Sequence, residues 1–313
     1  MTADTRPAGI VCPLATPLRP DGHLNEPVLR SLIDALVPDL DGLFVLGSSG
    51  ELTWLPDDVA DRVARVAVEQ VAGRIPVYVG VGDTGLRRTL DRAARLGETE
   101  PDYLVVASPF YYEVGSEDAL VDHFTVIADA AAAPLVLYNI PQNTHLALSP
   151  SAVATLAQHP KIVGMKDSAG DWFAFERFLG LRGEAFSVLQ GREQLAAASL
   201  WAGADGVISG LANLAPRLLQ SLAAAISEDR PREDSLALQA SISELAGVFE
   251  QGYWLAGLKC ALATIGWDVS DPSRPIQAYD ADQRAAVERI VRTPALRRWL
   301  TEAGATAAAG ADG

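Results

Sequence analysis

Eight short apolar runs alternate with eight segments of helical periodicity, and this alternation constrains the fold more than any other feature of the chain. The runs are Gly9–Ala15, Gly42–Gly47, Val77–Gly82, Tyr103–Ser108, Leu135–Ile140, Ile162–Lys166, Phe186–Gln190 and Gly206–Ser209. Each is the length of a strand and is bounded by turn residues. The helical segments between them are Glu26–Leu40, Pro56–Ala72, Thr84–Leu96, Glu117–Ala132, Ser149–Gln158, Trp172–Leu181, Glu193–Ala202 and Ala215–Ser227. Pro56 suits a first helical turn, with Asp57 and Asp58 at its positive end, and Gly73 and Gly97 suit the position just past a helix. Strands that are apolar throughout and alternate with helices predict a parallel sheet covered on both faces. Eight units predict its closed form, an α/β (β/α)8 TIM barrel. An open doubly wound sheet is the alternative, but the first run leads into Pro13-Leu14-Ala15-Thr16-Pro17, not a glycine-rich nucleotide turn.

The charged break Glu228-Asp229-Arg230-Pro231-Arg232-Glu233-Asp234 divides the chain into a catalytic barrel (1–228) and a C-terminal helical appendage (229–303). In the appendage helices are expected over Ser235–Glu250, Tyr253–Ile265 and Ala281–Ala303; the Ala/Gly-rich tail 304–313 reads as disordered. The net charge of −15 argues against nucleic acid as a partner. Only two cysteines are present, so no disulfide framework or zinc spacing arises, and the four histidines fall outside metal-ligand spacings. No signal-peptide pattern and no run of membrane-spanning length is read, so a cytoplasmic protein with no metal is expected.

In such a barrel, reactive groups belong at the C-terminal ends of the strands. Of 25 basic residues only three are lysines, and Lys166 closes the buried run Ile162-Val163-Gly164-Met165-Lys166. An amine in a partly dry pocket is more easily neutral, and the neutral amine is a nucleophile. Two readings stand: a Schiff-base lysine, or a salt-bridged strand-end lysine. Gly164 and Ile162 are read on the same face, with space left beneath Lys166 by Gly164. Tyr138 alternates with Val136 and points inward, as a proton-shuttling phenol or as a core tyrosine. Gly47-Ser48-Ser49-Gly50 offers backbone N–H groups and two hydroxyls for a carboxylate or phosphate, or is an ordinary glycine turn. Gly203 to Gly210 reads as a phosphate loop or a packing turn. Lys161, at the far end of its strand, and Lys259, in the appendage, read as structural.

Gly47-Ser48-Ser49-Gly50-Glu51, Tyr138-Asn139-Ile140-Pro141, Gly164-Met165-Lys166-Asp167 and Gly206-Val207-Ile208-Ser209 occur in order, and with them the chain resembles the dihydrodipicolinate synthase / N-acetylneuraminate lyase family over residues 8–300. These are class I, pyruvate-handling barrel enzymes. The resemblance implies that Lys166 forms an imine with a 2-keto acid, that Tyr138 relays protons, and that Ser48 and Ser49 hold the carboxylate, with Ser49 passing protons to Tyr138. It implies that Tyr111 extends the relay into a neighbouring subunit of a homo-oligomer, a dimer of dimers, and that Gly47, Asn143, Gly191, Arg192, Ile208 and Ser209 contact substrate. No cofactor beyond the covalent imine is implied. Asn143 departs from the arginine of the dihydrodipicolinate synthase branch, which holds a second carboxylate. The expected substrate is therefore 4-hydroxy-2-oxoglutarate or a 2-keto-3-deoxy sugar acid, cleaved to pyruvate and an aldehyde. Alternatives are a dehydratase using the same lysine, dihydrodipicolinate synthesis itself, which Asn143 disfavours, and a non-catalytic keto-acid-binding protein. Arg192 reads equally as a grip on the distal half or as a surface helix residue.

Overall fold

The computed structural model describes residues 6–269 and 271–304. Its strands are β1 (Gly9–Pro13), β2 (Gly42–Val45), β3 (Val77–Gly80), β4 (Tyr103–Ala107), β5 (Leu135–Asn139), β6 (Ile162–Asp167), β7 (Ser187–Gln190) and β8 (Gly206–Ile208). They close into one barrel in sequence order, every neighbouring pair parallel, with β8 returning to β1. Around it run α1 (Glu26–Leu36), α2 (Asp57–Val71), α3 (Leu86–Gly97), α4 (Glu117–Ala130), α5 (Pro141–Thr144), α6 (Pro150–Leu156), α7 (Trp172–Leu179), α8 (Ala196–Trp201) and α9 (Pro216–Ser227). α10 (Arg232–Ala246), α11 (Trp254–Thr264), α12 (Ala281–Val291) and α13 (Pro294–Arg297) follow.

Two apolar cores explain why the strands read as continuous runs. The outer core joins one strand face to the helices, and Leu245, Val248 and Leu258 of the C-terminal region belong to it. The inner core fills the barrel with Val11, Phe44, Tyr78, Tyr103, Val105, Val136, Tyr138, Ile140, Leu189 and Ile208. Tyr78 and Tyr103 stack at 4.7 Å between ring centroids, and Phe44 meets Tyr138 edge-on at 6.3 Å. Both strand faces are thus dry, so the period-2 polar alternation of a half-exposed sheet is absent.

Several boundaries differ from expectation, each for a local reason. Proline has no N–H for the helical ladder. The segment expected as one helix from Ala281 to Ala303 breaks before Pro294, and α1 gives way at Val37-Pro38-Asp39 to a tight 3-10 turn. Pro56 caps α2 from outside its first turn, and Gly97 is the last residue of α3, not a left-handed residue beyond it. A short helix, α5, stands at the end of β5 where a strand exit is read, begun by Pro141 in its first turn. Of the tail expected to be disordered, residues 305–313 lie outside the described part of the chain.

The pairing of β5 with β6 corrects one register. Leu135 pairs with Ile162, but Val136 pairs with Gly164, so Val163 is bulged out of the ladder. The bulge changes side-chain parity. Ile162 therefore packs in the outer core and not on the face of Lys166, while Val163 packs against the barrel interior. Gly164 does not leave a gap beneath the lysine: a Cβ there would stand 2.8 Å from the Ser187 carbonyl oxygen.

Candidate active site

β5 and β6 bring Tyr138 and Lys166 into direct register at their C-terminal ends. Lys166 is 5% exposed, and its Nζ lies 4.2 Å from the Tyr138 ring centroid and 5.4 Å from that of Phe44. Among the described residues it has no ion pair and no hydrogen bond. The salt-bridged alternative is therefore not the arrangement found. Gly191, at the exit of β7, makes room for the lysine, because a Cβ there would stand 3.1 Å from Lys166 Cε and 2.0 Å from Ser168 Oγ. The other lysines are engaged. Lys161 Nζ donates to the carbonyls of Asp129 and Ala131 at the end of α4 (3.1 and 2.9 Å). Lys259, 1% exposed, forms a buried ion pair with Glu51. Burial pulls the Lys259 amine below its ordinary value, and the Glu51 charge opposes this.

The Tyr138 and Phe44 rings that flank Lys166 also line a cavity of about 360 Å³, together with Gly47, Ser48, Glu51 and Asn143 among others. The loop after β2 turns through left-handed conformations at two non-glycine residues, Leu46 (φ 59°) and Glu51 (φ 61°). Such backbone costs free energy and persists only where surrounding contacts hold it. Here Glu51 is held twice, by Lys259 and by the Ser273 N–H, which donates to Oε2 at 2.6 Å. The loop closes with Gly50 N–H on the Gly47 carbonyl and Glu51 N–H on the Ser48 carbonyl. Its own hydrogen bonds thus leave out the N–H groups of Ser48 and Ser49.

Ser48 Oγ lies 3.4 Å from the Tyr138 hydroxyl. This moves the serine–tyrosine contact one residue from its expected place at Ser49, whose side chain is nearly buried beside it. Other expected site residues are placed differently. Tyr111 is 81% exposed, has φ 83°, stacks edge-on against Tyr112, and does not line its own chain's cavity. Arg192 is neither a grip on the cavity nor a free surface residue: its Nε donates to the Ser168 carbonyl at 2.9 Å. Ile208 belongs to the barrel interior. Ser209 donates to Glu193 Oε1 at 3.0 Å and caps the following turn by accepting from Leu211 N–H. The Gly203–Gly210 turn is one of close packing, since a Cβ on Gly206 would stand 2.2 Å from the Gly9 carbonyl oxygen.

One rung beyond the tyrosine–lysine pair, Asn139 Nδ2 donates to Asp167 Oδ1 at 2.6 Å, and Asn139 Oδ1 accepts from Leu148 N–H. Burial pushes the Asp167 carboxyl up to about 6, against the bond from Asn139. Phe44 and the Glu51–Lys259 pair are site features that motif reading passed over. A phenylalanine in a core strand carries no chemical signal, and the pair joins residues more than two hundred positions apart in sequence.

The sequence profile of the dihydrodipicolinate synthetase family matches residues 6–293. The chain belongs to that family. An uncharacterized DapA-like lyase of Halobacterium salinarum is 34% identical over 287 residues, covering 90% of this chain and 91% of that protein. A 4-hydroxy-tetrahydrodipicolinate synthase of Xanthomonas axonopodis pv. citri is 37% identical over 238 residues, 76% of this chain and 78% of the relative. Among solved structures, YagE, a prophage protein of this family from Escherichia coli K12 in complex with pyruvate, superposes with a TM-score of 0.86 at 29% identity, covering 91% of this chain and 97% of its own.

Proposed function

We propose that this member of the dihydrodipicolinate synthetase family is a Schiff-base lyase that reversibly cleaves a 4-hydroxy-2-keto acid to pyruvate and an aldehyde. One observation carries the reading: Lys166 Nζ, without an ion pair among the described residues, stands against the rings of Tyr138 and Phe44, and both rings line a cavity whose wall also holds Ser48, its hydroxyl 3.4 Å from that of Tyr138. The pyruvate bound by YagE, a 29% identical relative, supports it.

In this mechanism the Lys166 amine attacks the C2 carbonyl and water leaves, giving a protonated imine that accepts electrons. Tyr138 takes the proton of the C4 hydroxyl, the C3–C4 bond breaks, and the aldehyde departs. The enamine is protonated at C3, and water releases pyruvate and restores the amine. Ser48 passes the proton on from Tyr138. Ser49 and the N–H groups of its loop hold the keto-acid carboxylate. Both expected substrate types, 4-hydroxy-2-oxoglutarate and 2-keto-3-deoxy sugar acids, contain the C2-keto, C4-hydroxy unit this chemistry needs. The exposed Tyr111, outside its own cavity, supports a homo-oligomer in which this residue reaches a neighbour's site. Two free, buried cysteines, Cys12 and Cys260, agree with a reduced, cytoplasmic setting.

The curated relatives named 4-hydroxy-tetrahydrodipicolinate synthase raise a second reading, condensation of pyruvate with an amino aldehyde that carries a carboxylate. Asn143 at the cavity wall has no charge with which to hold that group. Product analysis with 2-keto-3-deoxygluconate tests the class of reaction. Pyruvate with an aldehyde supports the lyase; an intact keto acid lighter by one water marks a dehydratase; no turnover of any 4-hydroxy-2-keto acid refutes both.

A further inference from the structure

The lining of the cavity bears on the aldehyde half of the substrate, given the lyase reading. Ser48 and the nearly buried Tyr138 stand on its wall. Trp54, Phe110, Tyr253, Trp254, Leu255 and Ile276 give another part of the wall its aromatic and aliphatic character. Trp54 and Tyr253 are 43% and 49% exposed, which places them at its mouth.

Charge is missing from this wall. Among the described residues, no arginine, lysine or histidine lines the cavity, and Glu51 is the one acidic residue that does. That carboxylate is already engaged by Lys259 and by the Ser273 N–H. Arg192 is turned away onto the Ser168 carbonyl. A distal carboxylate or phosphate would enter without a counter-charge, which strongly disfavours binding. A chain of hydroxyls fares little better, because each needs a partner when buried. Thr144 Oγ1 is taken by the carbonyls of Ile140 and Leu146, leaving the Asn143 amide, the hydroxyls of Thr53 and Tyr253, and the indole N–H groups of Trp54 and Trp254, most of them donors set in aromatic rings.

We infer that the second half of the substrate is a neutral, apolar aldehyde, with an aryl group matching the aromatic wall. In the condensation direction, C3 of the pyruvate enamine on Lys166 bonds to the aldehyde carbon. The aldehyde oxygen takes the proton of the Tyr138 hydroxyl. Water then hydrolyses the imine, freeing a 4-aryl-4-hydroxy-2-oxobutanoate and the amine. This departs from both expected substrate types, 4-hydroxy-2-oxoglutarate, whose distal group is a carboxylate, and the 2-keto-3-deoxy sugar acids, whose distal half is a chain of hydroxyls.

The test compares benzaldehyde, glyoxylate and glyceraldehyde as partners of pyruvate, with products identified by mass and kcat/KM measured for each. Benzaldehyde is expected to exceed glyoxylate by about 100-fold. Trp254→Ala is expected to raise KM for benzaldehyde about tenfold more than KM for pyruvate, the scale of one aromatic contact. Asn143→Arg is expected to shift the preference toward glyoxylate. A wild-type preference for glyoxylate or glyceraldehyde overturns the proposal, as does inert benzaldehyde in a protein that pyruvate and borohydride still label on Lys166. Absence of that label instead refutes the Schiff-base reading on which the proposal rests.

Discussion

Asn139 and Asp167 form the rung directly beyond Tyr138 and Lys166, joined by a 2.6 Å hydrogen bond in a fully buried setting. Alternation along a strand puts this second pair on the outer face while the first faces the barrel axis. The bond therefore ties together the two strand ends that carry the proposed chemistry.

Asp167 gives a pH dependence of known sign. Burial raises its carboxyl from 3.8 to about 6, so between those values the folded chain binds more protons than the unfolded chain. Stability is then highest below the unfolded value and falls as pH rises through about 6. Two pKa units correspond to roughly 3 kcal/mol. Urea unfolding at a series of pH values from 4 to 7 is expected to show this decline in the wild type and its loss in Asp167→Asn, which keeps an acceptor for Asn139. Equal slopes in the two proteins would exclude Asp167 as the source.

The Glu51–Lys259 pair predicts non-additive stability. Removing one partner leaves an uncompensated charge among residues 1% to 4% exposed, a loss of about 3–5 kcal/mol. Lys259→Met and Glu51→Gln should each destabilise strongly, and the double variant less than their sum. Thermal unfolding of the three variants measures this. Strict additivity would mean that the pair does not hold the loop.

Ser48 and Ser49 divide the labour of one loop. With Ser48 Oγ 3.4 Å from the Tyr138 hydroxyl, Ser48→Ala and Tyr138→Phe should lower kcat by about 100-fold or more. Ser49→Ala should act mainly on KM for the keto acid. Steady-state kinetics that put the larger kcat loss on Ser49 would reverse the assignment.

Phe44 is 1% exposed and packs against both Tyr138 and the lysine amine. Phe44→Ala should cost about 3–5 kcal/mol of stability. It should also slow imine formation, because Lys166 loses one of the two surfaces that orient it. Unchanged trapping rates in a folded variant would remove Phe44 from the site.

The barrel was legible because β1 to β8 are buried on both faces, and a strand dry on both sides must be apolar throughout. Lys166 stood out for the same reason, as an amine ending such a run. What escaped reading depends on geometry that periodicity does not encode. The bulge at Val163 flips parity, and Gly164 beside it, a residue that often marks a bulge, reads from sequence as space beneath the lysine instead. The choice between Ser48 and Ser49 turns on a loop with left-handed backbone at Leu46 and Glu51, a path that strand periodicity does not encode. Arg192 was ambiguous because the Ser168 carbonyl that captures it lies on a neighbouring strand exit. The cavity's aromatic wall joins loops after β2 and β4 to the start of α11, and only the folded barrel brings them together.

The proposed mechanism needs Lys166 as nucleophile, and the most direct measurement is borohydride reduction in the presence of pyruvate followed by peptide mass mapping. With three lysines in the chain, the site of labelling is unambiguous. A reduced pyruvyl adduct is expected on the Lys166 peptide alone, absent from Lys166→Ala. No adduct, or one on Lys161 or Lys259, would contradict it.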